Sequence, residues 1–440
     1  MADSHILFLV FTYFIRYVFG QNTFDIPDLR FEAFSPRGLL VSMPYSSDIK
    51  LFGFHGNINK PIQQIEPGDI SEDITRPTNG RFNYFNPNLE LKVGDVINYW
   101  VFVQVDQLGY RKSELSWKVD KIMSLDNPSP TKCQLSSTLF NGISSCVGNI
   151  LHESRFNLNN VDGYLWLTEK YYPDKPDYEY VIYGNDEDVL NVEGNLLHIK
   201  PKFNESIVRS NINIEGCTRQ QRHECERRFV SIYQPPIISA RIKTKSTFTF
   251  GKYEIRAKLP KGDWIYPEIF LEDPKNPTRR VIIAYARGNE VLTGDSGDDI
   301  GGSLLFGGPM ASNMEPQRSR YLSSYRNKQP IANEMHTFIL EWTPEQMSLY
   351  IDDINYGEIS KTALQETGFN RATPMHLVLG VGVGGPIHFP NGYTSKTYVM
   401  PWKSTSSTQL KNFYDSKSLW LPTWGDDSQL QIELVKITAI

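Results

Sequence analysis

Two neighbouring stretches concentrate side chains that could do chemistry on a sugar. Residues 259–273 read LPKGDWIYPEIFLED, placing Trp264 and Tyr266 ahead of Glu268, Glu272 and Asp273. Residues 279–290 read RRVIIAYARGNE, an apolar strand-like run ending in an Arg-Gly-Asn turn and Glu290. Aromatic rings accept the apolar C–H faces of a pyranose, and a few placed polar groups satisfy its hydroxyls. Cleaving a glycosidic bond demands more: two carboxyl groups facing the bond, roughly 5–5.5 Å apart for a retaining enzyme. The carboxylates at 268, 272, 273 and 290 stand in Pro- and Asn-rich surroundings, which predicts solvated turn carboxylates instead of an acid–base pair.

Strands must position any such cleft. Between residues 24 and 120, apolar runs such as GLLVSM, IKLFGFHG, VINYWVFVQV and SWKV alternate with Asn, Gly and Pro. That spacing predicts a small antiparallel sandwich. In VINYWVFVQV, Ile97, Tyr99, Val101, Val103 and Val105 fall on one face. Beyond Cys146 the same pattern continues on a larger scale through NLLHIK, ISARIKTK, GKYEIRAKL, TFILEWT, MSLYID, MHLVLGVGVG and LQIELVKI. Helical periodicity is sparse, with a turn or more expected near Phe413–Ser418. The fold class is therefore all-β, in two domains. Residues 21–120 form the smaller, 121–145 a polar linker containing DNPSPT, and 146–440 the larger.

The 440-residue chain carries a net charge of −5 with its Lys and Arg scattered, so it presents no general basic field for nucleic acid. The apolar stretch Ile6–Phe19, closing at Gly20, predicts a signal peptide over residues 1–20 and a secreted, extracellular chain. It is too short and interrupted for a membrane span. Four cysteines allow three pairings, of which the short loops Cys133–Cys146 and Cys217–Cys225 cost least entropy to close. Asn204-Glu205-Ser206 is the only N-glycosylation tripeptide. No spacing fits a metal site, TGDSGDDIGG at 293–302 included, and no cofactor motif occurs, so none is expected. His55 in FGFHG is expected to be a packed structural histidine.

At this point the motifs carry a resemblance. FGKYEIRAKLPKGDWIYPEIFLE, YARGNE, HTFILEWTPEQMSLYIDD, MHLVLGVGVGGP and MPWKSTSSTQLKNFYDSKSLWLPTW follow in the order found in glycoside hydrolase family 16, the β-sandwich glucanases. LFGFHGNIN, NGRFNYFNPNLELKVGD and QLGYRKSELSW resemble the glucan-binding module that precedes such a domain in the arthropod beta-1,3-glucan recognition proteins, or Gram-negative-bacteria-binding proteins. The resemblance implies an immunoglobulin-like β-sandwich module followed by a concanavalin-like β-jelly-roll.

Active members of family 16 carry Glu-Ile-Asp-Ile-Met-Glu before a Ser-Arg-Gly-Asn turn, with the first Glu as nucleophile and the last as general acid/base. Aligned on Arg287-Gly288-Asn289, the nucleophile position holds Arg280, the Asp position Ile282 and the acid/base position Tyr285. A guanidinium neither attacks an anomeric carbon nor gives up a proton near neutral pH, and a tyrosine is a poor acid there. The resemblance thus implies a domain without catalysis. It carries sugar-binding roles over to Trp264, Tyr266 and Trp402 in the large domain, and to Asp48, Arg81 and Phe82 in the small one. Where relatives have an Asp-Arg pair, this chain has Asn86-Pro87.

The function implied is pattern recognition. The chain would bind microbial beta-1,3-glucan or a related surface polysaccharide and signal to serine proteases of an innate immune cascade. The alternatives are a protein-interaction scaffold that has lost sugar binding, and a residual endo-beta-1,3-glucanase.

Overall fold

The computed structural model describes residues 24–440 apart from 36, 47, 64, 76, 78–80, 87, 88, 125–133, 157–160, 164 and 230–232. The expected signal peptide, Cys133 and Pro87 lie outside the described residues. Among those described, no helix is long and apolar enough to cross a membrane. The chain divides into two units, 1–132 and 133–440, each built from strands.

In the first unit one sheet runs Arg81–Asn86, Leu39–Pro44, Arg30–Ser35, Ile122–Ser124, and a second runs Ile70–Ile74, Ile49–Ile58, Val96–Val105, Leu108–Lys118. Alternation puts every second side chain inside. Leu39, Val41 and Met43 meet Phe52, Phe54, Phe82 and Tyr84 in the core, and Ile97, Tyr99, Val101 and Val103 join them with Val105 at the edge. His55 stacks on Trp100 at 4.0 Å between ring centroids.

Among its described residues the stretch 121–145, expected as a linker, is largely strand. Ile122–Ser124 pairs in parallel with Arg30–Ser35 of the first unit. Leu135–Phe140 forms a hairpin with Ile143–Cys146 and also pairs with Phe248–Thr249 in the second unit. Its Asn141-Gly142 turn has φ of 50° and 81°, the left-handed pair that a two-residue hairpin loop requires. Proline content marked only the middle of the stretch. It gave no sign of pairing partners distant in sequence.

The second unit packs two large sheets around one core. One runs Leu190–Glu193, Leu196–Ile199, Leu430–Thr438, Gly251–Lys258, His336–Trp342, Met347–Ile351, Ile354–Ile359. The other, which carries the site, runs Trp166–Glu169, Arg241–Thr244, His376–Val383, Ile265–Asp273, Asn276–Tyr285, Leu304–Met310, Ser323–Arg326. Short helices, Lys361–Thr367, Gln409–Asp415 and Lys417–Trp420, pack Leu364, Phe413 and Trp420 into the core. Cys217 and Cys225 form a disulfide, and Cys146 is disulfide-bonded as well.

Candidate functional site

Ile265–Asp273 is buried along its whole length, on both faces of its sheet. Ile269 and Leu271 belong to the sandwich core. The opposite face carries Tyr266, Glu268, Phe270 and Glu272 at every second position, aligned with Gly382, Gly380, Val378 and His376 of the next strand. The two glycines have a steric cause. A Cβ on Gly382 would lie 2.3 Å from the Tyr266 ring, and one on Gly380 would lie 2.5 Å from Glu268 Oε2. Without side chains there, Tyr266 and Glu268 lie flat across the sheet.

That flat polar face holds a buried ion network. Arg241 donates to both oxygens of Glu272 at 2.7 and 2.8 Å, meets Glu169 at 2.7 Å and reaches Glu268 at 3.4 Å. Arg280 donates to Glu272 Oε2 at 3.0 Å and to Asp177. Lys243 donates to Glu169 at 2.8 Å, and Arg219 lies 3.4 Å from the same carboxylate. Burial alone would raise the Glu169 carboxyl, but Arg241, Arg219 and Lys243 hold it at about 2. Arg241 and Arg280 overcome burial at Glu272, and Arg280 and His388 do so at Asp177, keeping both carboxylates ionised.

Five carboxyl groups (Glu169, Asp177, Glu179, Glu268, Glu272) thus face four cations (Arg219, Arg241, Lys243, Arg280). Burial raises Glu268 and, more strongly, Glu179, which takes up the excess. Burial, then the charges of Asp177 and Glu268, push its carboxyl well above the usual range, so it stays protonated. Tyr183 Oη lies 3.1 Å from Glu268 and 3.4 Å from Glu179, and its single O–H can serve only one of them. A proton on Glu179 satisfies the other contact.

Glu268, Glu272 and Asp273 are therefore not the solvated turn carboxylates expected from their Pro- and Asn-rich setting. They are buried strand residues. The Glu-x-Phe-x-Glu period of two in PEIFLE was the available signal. It could be interpreted only with Arg280 on the adjacent strand and Arg241 two strands away, across His376–Val383. Glu290 does sit in an exposed position, paired with Lys396.

Arg280, Ile282 and Tyr285 line one cavity of about 230 Å³ together with Tyr266, Arg287 and Phe306. A register shift between Ile282 and Tyr285 brings the third of these onto the face of the first two. Tyr285 Oη lies 3.3 Å from Nδ1 of His388, whose Nε2 is 3.4 Å from Asp177. Burial holds His388 neutral, its pKa lowered to about 4, while burial raises that of Tyr285. Neither group is set to deliver a proton at neutral pH.

The aromatic residues expected to stack on sugar are placed differently. Trp264 and Trp402 are fully buried, in edge contact with one another at 4.9 Å, and offer no open ring face. Trp264 has a φ of 65°, rare for a bulky residue, and is pinned by Asn289 Oδ1 on its backbone N–H and by Tyr398 Oη on its indole N–H. The Arg-Gly-Asn turn thus locks the GDW turn against it. A Cβ on Gly288 would sit 2.5 Å from the Gly262 carbonyl oxygen. Of the three aromatics, only Tyr266 lines the cavity, stacked on His388 at 3.9 Å.

In the first unit Phe82, expected on a sugar-binding surface, is fully buried against Phe52 and Tyr45. Alternation along Arg81–Asn86 sends residues 82 and 84 inward and 81, 83 and 85 outward. The exposed aromatic of that strand is Phe85, at 53% accessibility, and Phe82–Tyr84 spacing was the signal for it. Arg81 lies half-buried, donating to Oγ and the carbonyl of Ser42 at 2.9 and 3.0 Å. Asp48 is exposed. Asn204 Oδ1 accepts from the Ser206 N–H at 3.1 Å and from its hydroxyl at 2.7 Å.

Comparison with known proteins bears on both units. Residues 25–135 match the family described as "Carbohydrate binding domain (family 32)", CBM39, and residues 310–403 match "Glycosyl hydrolases family 16". The chain is 32% identical to beta-1,3-glucan-binding protein 1 of Manduca sexta, covering 100% of both chains. It is 33% identical to the beta-1,3-glucan-binding protein of Tenebrio molitor over 97% of this chain and 98% of that one. Gram-negative bacteria-binding protein 3 of Drosophila melanogaster is 26% identical over 100% of each. Among solved structures, a laminarinase from Rhodothermus marinus matches 66% of this chain and 97% of its own, at 18% identity and a TM-score of 0.45, from which nothing about activity follows.

Proposed function

We infer the function of this chain as a member of the beta-1,3-glucan-binding protein family, to which it belongs by 32% and 33% identity over nearly its whole length. It recognises beta-1,3-glucan, or a related microbial surface polysaccharide, and does not cleave it. The observation that carries the second half is Arg280. Where a retaining glycosidase of this architecture needs its nucleophile, the chain has a guanidinium tied to Asp177 and Glu272. The remaining carboxylates on that face are engaged in ion pairs or protonated, and none is placed to attack one side of a bond while another protonates the leaving oxygen.

In the first unit, Arg81 and Phe85 on the outer face, with Asp48 nearby in sequence to the core strand Ile49–Ile58, are the groups we assign to glycan contact. Secretion fits the apolar N-terminus and the disulfides, and coupling to serine proteases is the outcome we expect of a recognition protein in this family. The test is retention of the full chain on insoluble curdlan, with cellulose and peptidoglycan as parallel matrices. Selective retention on curdlan is expected. Passage through all three without retention would instead point to a scaffold that binds protein.

A further inference from the structure

The network cations are each matched by buried carboxylates, but two other arginines of the cavity are not. Arg287 is buried, and its Nε and Nη1 donate to the carbonyls of His388 and Ile300 at 2.9 and 3.2 Å. The rings of Tyr285, Phe306 and Phe389 stand 5.5, 5.9 and 5.9 Å from its guanidinium carbon. Among the described residues no carboxylate pairs with it. Burial, with Arg318 adding to it, depresses its pKa, the mark of a cation short of counter-charge.

Arg318, with a side chain 12% exposed, has one acidic neighbour, Glu315, at 3.7 Å, and Glu315 is 57% exposed. Its Nε is buried without a hydrogen-bond partner. Charges left unmatched inside a protein are costly, by several kcal/mol per ion when fully desolvated. A neutral glucan brings only hydroxyls to such a site. Carboxylate and phosphate groups match the guanidinium fork in both charge and geometry.

We propose that this cavity takes an acidic sugar unit, with its carboxylate or phosphate group between Arg287 and Arg318 and its ring beside Tyr285 and Phe306. The volume of about 230 Å³ falls below the roughly 300–1,000 Å³ of a drug-sized pocket, which suits a single unit at the end or branch of a polysaccharide. This rests on the non-catalytic, glycan-binding function inferred above. It adds a second specificity, apart from the neutral glucan bound by the family.

Calorimetric titration of the full chain tests it, using an oligogalacturonate, a phosphorylated mannan oligosaccharide and a neutral laminari-oligosaccharide of equal length. At least one acidic ligand is expected to bind, more weakly as salt rises. Arg318→Gln should weaken that binding by about tenfold or more, the loss of one charge-assisted hydrogen bond. Glu315→Gln should strengthen it, and neither change should alter laminari-oligosaccharide binding or the melting temperature. Acidic ligands held no tighter than the neutral one, or unaffected by Arg318→Gln, would overturn the proposal. Binding of the laminari-oligosaccharide alone would do so while leaving glucan recognition intact, and binding of none would remove both. Which acidic ligand binds separates carboxylate from phosphate.

Discussion

Arg280 is held from two sides, by Glu272 and Asp177, and removing it would strand Asp177 in the interior while leaving Glu272 to Arg241 alone. Breaking a buried pair in this way costs about 3–5 kcal/mol. Arg280→Ala should lower stability by that order in a denaturant melt. Arg280→Glu should do worse and yield no hydrolysis, because it sets a further carboxyl against Asp177, which has lost its cation, and Glu272. Glu179 and Glu272 make a sharper contrast. Glu272→Gln removes the charge shared by Arg241 and Arg280 and should destabilise at every pH above about 5, whereas Glu179→Gln imitates the protonated form without the unfolded chain's ionisation and should stabilise at pH 7.

The pH profile follows from the signs. His388 and His152 have folded pKa values near 4 against 6.5, so below 6.5 the unfolded chain takes protons the fold refuses, and stability falls as pH drops from 6.5 to 4. Glu169, near 2 when folded, adds a further loss below its ordinary 4.5. Glu179 acts oppositely, its raised pKa eroding stability as pH rises above 4.5. Melting temperatures between pH 3 and 9 should therefore drop on the acid side in both proteins, and Glu179→Gln should flatten the alkaline limb alone.

At the scale of the element, the strand Ile265–Asp273 shows what the sequence disclosed and what it did not. Its alternation was visible, and so was the Arg-Gly-Asn anchor that puts Arg280, Ile282 and Tyr285 on the cavity face. The burial of Glu268 and Glu272 was not, because a carboxylate's fate depends on cations that pairing brings from residues 241 and 280. Trp264 and Trp402 failed as exposed platforms for a related reason. Ring type signals affinity for apolar surface, and here that surface is supplied by Phe389, Tyr398 and each other. Gly380 and Gly382 in LGVGVG set the clearance for this face. Gly382→Ala should cost about 1–3 kcal/mol through overpacking against Tyr266, readable as a lowered melting temperature.

At the scale of the whole molecule, the two all-β units and their order were legible from strand punctuation and motif order, while the strands within 121–145 were hidden by their long-range partners. Two units that each held glycan would gain from effective concentration on a polymer. Phe85→Ala should reduce curdlan retention without changing the melting temperature, whereas Arg81→Ala should reduce retention and also lower the melting temperature through its lost bonds to Ser42. The measurement nearest the centre of the account is a titration of the full chain with laminarin, followed by a reducing-end assay on the same mixture. Saturable binding with no reducing ends above buffer is the predicted result. Reducing ends that accumulate with protein concentration and vanish in Glu268→Gln would contradict it, since Glu268 would then be a working acid in a cleft that cleaves.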